Sequence, residues 1–258
     1  MYDISFTAVA VLCVAAALAG WIDAVVGGGG LLQLPALLIG LPHLPPAYAL
    51  GTNKAVSLVG TGAAASTYLR KATVDVRLAC RMGVVAALSS AGGAFFAAGV
   101  NSAVLRPLIM VLLLCVAAFV VLRPQFGQAP GGMVTRRRLL TAFGVAGVGI
   151  GFYDGLLGPG TGAFLVIALV ALLNMDMVTA SATTKVVNVC TNIGALSLFA
   201  WQGAVLWKLA ALMAVFNMSG GLVGAHMALK RGSGFVRVVL LTTVVGLVGK
   251  LAYDQWWS

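Results

Sequence analysis

"GWIDAVVGGGGLLQLPALLIG", residues 20–40, sets Asp23 and four consecutive glycines, Gly27 to Gly30, inside a run that is otherwise apolar. Glycine runs normally mark loops, and aspartates normally face water. Neither fits the surroundings. The chain of 258 residues is 61% hydrophobic and 9% charged, with a mean hydropathy of +1.05. Such values lie far outside the range of water-soluble domains. The stretch therefore reads as part of an integral membrane protein whose backbone breaks within the bilayer.

Working outward, apolar runs of about twenty residues, the length that crosses a hydrocarbon core, recur at 5–26, 47–69, 78–99, 103–122, 139–157, 178–201, 208–229 and 235–253. These predict an all-α polytopic membrane protein with about eight full spans. Two shorter apolar pieces, 31–41 and 161–173, follow glycine-rich breaks and read as half-helices or re-entrant segments. The runs are continuous rather than alternating, which excludes a membrane β-barrel. "ALAG" at 17–20 resembles a signal-peptide cleavage site, but no Lys or Arg precedes Lys54. The first segment is therefore expected to remain in the mature chain.

The net charge of +10 sits mainly in loop-like stretches such as "YLRKATVDVR" and "MVTRRRLL". It reads as the basic bias of cytoplasmic loops, not as a nucleic-acid surface, since no basic face interleaved with aromatics is present. Cys13, Cys80, Cys115 and Cys190 lack CxxC spacing and are expected to pack. Trp256 and Trp257 read as an interfacial belt. His43 falls in a proline-rich loop, and His226 is read as a packed or hydrogen-bonded side chain. Nucleotide-loop, zinc-protease and serine-hydrolase motifs are all missing, so no enzyme activity and no cofactor are expected.

The chain also matches itself at an offset of 131 positions, where Asp23 meets Asp154, Lys54 meets Lys185, Thr52 meets Thr183 and Arg106 meets Arg237. Gly20, Gly27 and Gly29 fall on Gly151, Gly158 and Gly160. Glutamate is absent and aspartates number six, so coincidence of charged positions carries weight. Two homologous halves follow, 1–125 and 139–258, joined by a basic linker at 126–138. Repeats of this kind belong to secondary transporters, whose site lies between the halves near the midplane. Four crossings per half make the repeats parallel, five make them inverted; the inverted arrangement is preferred.

Unsatisfied backbone in lipid costs several kcal/mol, so "VVGGGGLL" and "LLGPGTGA" are expected to face a protein-lined cavity. Helix starts after such breaks present free N–H groups to anions, here at Gly28, Gly29, Gly30, Gly160, Thr161 and Gly162. Lys54 and Lys185 lie about 10 Å along their helices and share a face with Ser57 and Thr61, and with Asn188 and Asn192. Intramembrane lysines usually serve function. Two alternatives stay open: snorkelling to the headgroups, or pairing of each lysine with the aspartate of its own half.

The motifs "GWIDAVVGGGGLLQLP", "ALGTNKAVSLVGT", "GFYDGLLGPGTGAFLV" and "ASATTKVVNVCTN" together resemble the TauE/SafE sulfite exporter family. The resemblance spans nearly the whole chain. It implies a multi-pass bacterial inner-membrane permease, a secondary transporter and often an exporter, for small anions such as sulfite or sulfonates. By position, the family's glycine motifs map to Gly27 to Gly30 with Pro35, and to Gly158, Pro159, Gly160 and Gly162. Its lysine segments map to Thr52, Asn53 and Lys54, and to Thr183, Thr184 and Lys185. Pro35 and Pro159 lack counterparts in the opposite half, which predicts half-helices that begin at different points.

These residues together predict alternating access between two repeats, with one anion bound between Lys54 and Lys185. Thr52, Asn53, Ser57, Thr183, Asn188 and Asn192 trim the pocket, and Asp23 and Asp154 couple or orient. The expected partners are a small anion, the bilayer, a coupling proton or sodium ion, and a second copy in a homo-oligomer. The rivals are a cation-coupled carrier of another solute and a non-transporting membrane subunit.

Overall fold

A computed structural model describes residues 6–97 and 134–256. The span expected at 103–122, the linker up to residue 133, Cys115, Arg106 and the terminal aromatic belt fall outside the residues and side chains described. Every regular element is helical: α1 Phe6–Val26, α2 Gly30–Gly40, α3 Pro46–Lys71 and α4 Val76–Ala97 in the first half. In the second, α5 joins Arg136–Ala142, a π-helical Phe143–Ile150 and Gly151–Leu156, followed by α6 Thr161–Leu173, α7 Met177–Trp201 and α8 Trp207–Trp256.

Among the described residues, four helical stretches are long and apolar enough to cross a membrane: Thr7–Val26, Val76–Ala97, Arg136–Leu156 and Trp207–Thr243. α3 and α7, at 26 and 25 residues, have the length as well. Their hydropathy is lowered by the buried stripe of Thr, Asn and Lys that the sequence reading singled out. The runs expected at 208–229 and 235–253 form one helical stretch interrupted at Gly232, whose φ of 73° breaks it into two legs. Thr135 accepts a hydrogen bond from the Arg138 amide and starts α5 at Arg136. α2 and α6 begin at Gly30 and Thr161, positions that correspond at the 131 offset, so the expectation of unequal starts is corrected. Pro35 sits inside α2 instead of starting it.

Helix directions follow from what meets at each end. The starts of α4 and α5 and the end of α6 converge, where Asp75, Leu78, Leu139 and Leu173 line one cleft. At the other end Thr52 of α3 accepts from the Leu206 amide just before α8, and Gly40 of α2 packs on Leu12 of α1. α1, α3 and the first leg of α8 therefore run from one end, and α4, α5 and α7 from the other. α1 and α5 thus point in opposite directions, as do α3 and α7.

Packing does not follow the halves of the chain. α8 lies against α1 and α3, while α4 lies against α5 and α7. Small residues permit this: a Cβ on Gly20 would sit 2.0 Å from the Asn217 carbonyl oxygen, and one on Gly155 would sit 1.7 Å from that of Ser90. Such backbone proximity is how membrane helices gain contact without a hydrophobic drive. The outer surface carries Leu88 at 72% exposure and Val11 at 65%, a surface suited to lipid tails.

Arg70, Lys71, Arg77, Arg81 and Arg136 to Arg138 gather at the end where α4 and α5 start. Arg138 has a second task, donating to the Ala171 carbonyl at 2.7 Å and to Asn174 Oδ1 at 2.8 Å, which ties the start of α5 to the end of α6. Arg138→Ala is expected to lower stability by about 1.5–3 kcal/mol, read by unfolding in detergent, whereas Arg77→Ala, on an exposed side chain, should change it little.

Candidate functional site

The site grows from two helix ends that stop inside the bundle. α1 ends at Val26, and Gly27, at φ 79°, turns the chain into α2. α5 ends at Leu156, and Gly158, at φ 88°, turns it into α6. Only glycine takes such angles without strain. The two breaks abut: a Cβ on Gly27 would lie 2.2 Å from Gly162 Cα, and Gly30 faces Gly158 and Pro159. The second break is tied by Tyr153, which donates to the Pro159 carbonyl at 2.6 Å, and by the Thr161 hydroxyl, which donates to Gly158 at 2.8 Å.

One aspartate precedes each break, and each is met by the lysine of the opposite half. Lys54 Nζ stands 2.7 Å from Asp154 Oδ2, with both side chains at 5% exposure or less. Lys185 Nζ stands 3.2 Å from Asp23 Oδ2 and also donates to the Asp23 carbonyl. The Thr61 hydroxyl donates to the same Asp23 oxygen at 3.0 Å. Pairing within each half, the alternative left open by the residues, is thus replaced by crossed pairing. Snorkelling is ruled out for the same reason: the fully buried ammonium of Lys185 points at a carboxylate, not at headgroups.

Thr61 shares Asp23 with Lys185, and Thr61 lies seven residues beyond Lys54 on α3, about 10 Å along the axis. The two pairs therefore meet α3 at positions two turns apart.

The polar side chains around them divide by partner. Thr52 caps the approach to α8, and Thr183 donates back to the Thr179 carbonyl at 2.9 Å, so both hydroxyls are engaged with backbone. Asn53 Oδ1, Thr184 Oγ1 and Asn188 Oδ1 are buried without a hydrogen-bond partner. Ser57 is half-buried and Asn192 buried. Of the glycines, Gly30 and Gly162 lie at the junction, while Gly28 faces Ile22 and Thr243, and Gly29 packs on Ala19. Gly160, at φ 79°, precedes α6. Among the described residues, the amides of Gly28, Gly29, Gly30, Gly160 and Gly162 form no backbone hydrogen bond. His226 is exposed and bonds the Leu222 carbonyl, and His43 is exposed in its loop.

A groove of about 1010 Å³ runs between α1, α2 and the second leg of α8, walled by apolar groups such as Val11, Leu31 and Val238; of the candidate site residues, Gly28 lines it. Sequence reading missed Gln33 and Asn217. Both are buried, and Asn217 Nδ2 donates to Gln33 Oε1 at 2.8 Å.

A bundle of spanning helices with two discontinuous hairpins meeting at buried charge pairs defines a class, the helical membrane transporters. The chain belongs to the sulfite exporter TauE/SafE family, whose family model matches residues 12–251. It is 35% identical over 254 residues to a "probable membrane transporter protein" of Sinorhizobium, covering 98% of this chain and 96% of the relative. A protein of the same description from Haemophilus influenzae is 32% identical, covering 99% and 98%. One from Escherichia coli is 33% identical, covering 99% and 93%. No solved structure matches.

Proposed function

We propose that this protein is a secondary transporter, working as an exporter, of small oxygen-bearing anions of the sulfite and sulfonate type, built from inverted repeats in a bacterial inner membrane. The observation that carries the reading is the pair of crossed ion pairs, Lys54–Asp154 and Lys185–Asp23, beside abutting breaks. Both pairs bridge the same two packing groups: α1, α3 and α8 on one side, α4, α5 and α7 on the other. Alternating access is then a rocking of these groups, not of the sequence halves. The aspartates hold the places that anionic oxygens take on the lysines. Each pair is neutral, so an anion arriving at an ammonium needs a compensating charge, and a proton on the displaced aspartate supplies it. The basic end faces the cytoplasm.

The test is thermal unfolding of the purified protein with sulfite, sulfate, thiosulfate, methanesulfonate, acetate and chloride. At about a hundred times its dissociation constant a ligand adds roughly 2.7 kcal/mol. The expected result is stabilisation by one or two oxyanions that vanishes when both pairs are neutralised together, Lys→Gln with Asp→Asn. Stabilisation that survives neutralisation would place the anion elsewhere.

A second reading, a cation-coupled carrier, is favoured by the unpartnered oxygens of Asn53, Thr184 and Asn188, since hard oxygen donors suit alkali cations. Stabilisation by sodium over choline, without any anion, would select it.

A further inference from the structure

The repeat does not hold at Gln33. Gln33, in the first turns of α2, corresponds at the 131 offset to Phe164 of α6, and its partner Asn217 corresponds to Ala86. An amide pair in an apolar bundle is costly unless its groups are satisfied. Its hydrogen bonds also fix which atom is left over. The Ala16 carbonyl can only accept, so the Asn217 atom 3.0 Å from it is Nδ2. That same Nδ2 lies 2.8 Å from Gln33, which must present Oε1 to it. The unpaired atom is therefore Gln33 Nε2, a donor, on a residue with no exposure at all.

The donor stands in the first turns of α2, the helix that starts beside Gly28, Gly29 and Gly30, whose amides form no backbone hydrogen bond. Gly30, one turn before Gln33, faces Gly158, and Gly158 lies against the ammonium of Lys54. A buried N–H without an acceptor, a helix start with free N–H groups and an ammonium one residue contact away all call for the same thing, an oxygen carrying negative charge.

Resting on the anion-transport reading above, we propose that Gln33 donates from Nε2 to an oxygen of the transported anion, making the first re-entrant helix the oxyanion seat, with no equal on the second. The two halves then play unequal parts: α2 reads the anion's oxygens, while α6, with Phe164 in place of the amide, supplies an apolar wall. Gln33 is a specificity-determining residue, and Asn217 positions it.

The experiment titrates sulfite and methanesulfonate into full-length wild type, Gln33→Glu, Gln33→Met and Phe164→Leu, reading ligand-free melting temperature and dissociation constant together. Gln33→Glu keeps the acceptor for Asn217 and removes the donor but buries a carboxyl, so the expected result is a lowered ligand-free melt with binding weakened roughly ten- to a hundredfold, from the worth of a charge-assisted hydrogen bond. Gln33→Met should weaken binding similarly, and Phe164→Leu should not. In proteoliposomes the loss should fall on KM. If Gln33→Glu binds as wild type does, Gln33 serves only as a clamp on Asn217 or a water ligand, and this inference falls alone. If wild type binds neither anion, the transport reading falls with it.

Discussion

Lys54→Ala lowers stability by about 3–5 kcal/mol, the cost of leaving a carboxylate charged and unpaired in the bundle interior, and Asp154→Asn in the same chain restores most of it. The reasoning rests on burial, since the Lys54 and Asp154 side chains are 2% and 5% exposed. Water cannot replace the lost partner there. Asp23→Asn should give no rescue, because Asp23 is held by Lys185 and Thr61. Denaturant unfolding of the two single variants and both double variants, arranged as a cycle, reads this directly. Rescue of Lys54→Ala by Asp23→Asn and not by Asp154→Asn would mean that each half neutralises itself. The companion change, Lys185→Ala, is expected to cost less. Asp23 is 16% exposed and keeps the Thr61 hydroxyl, so its charge retains some solvation. That inequality follows from exposure alone, 5% for Asp154 against 16% for Asp23.

Much of this site was legible because polar residues are scarce. Asp23, Asp154, Lys54 and Lys185 stand out in a chain with 9% charged residues, and their recurrence at one offset marked them as a set. The helices fall close to the apolar runs for the same reason: α1, α3, α5 and α7 begin or end within a few residues of the expected limits. The crossing of the pairs was not legible. A repeat offset states which residues correspond, and two aspartates with two lysines satisfy it equally well paired within halves or between them. The choice is made by α4 and α8, which exchange sides to pack on the opposite half, a tertiary event without local sequence signal. Gln33 did leave a trace. It is an amide in an otherwise apolar half-helix, but it has no equivalent at the 131 offset, and reading by symmetry passed over it.

Gly27→Ala should be severely damaging. Two costs add at this position. The backbone φ of 79° puts a Cβ in the left-handed region, worth about 1–2 kcal/mol for an L-residue. The new atom would also lie 2.2 Å from Gly162 Cα and 2.4 Å from Gly162 C. Neither neighbour is a side chain that can swing away, so one hairpin must withdraw from the other, and such overpacking adds typically 1–3 kcal/mol or more. Gly162→Ala makes the same collision from the opposite side without the φ cost, and so should be milder. Gly62→Ala serves as the control: its Cβ meets nothing within 4 Å, and alanine favours α3 by about 0.5–1 kcal/mol. Folded yield and melting temperature in detergent should thus rank Gly62→Ala above Gly162→Ala above Gly27→Ala. Anion stabilisation should disappear in any Gly27→Ala protein that survives, since parting the hairpins moves Gly30 away from Gly158 and Lys54. Equal behaviour of Gly27→Ala and Gly62→Ala would show that the two breaks do not touch in the working protein, and a site assembled across their junction could not then exist.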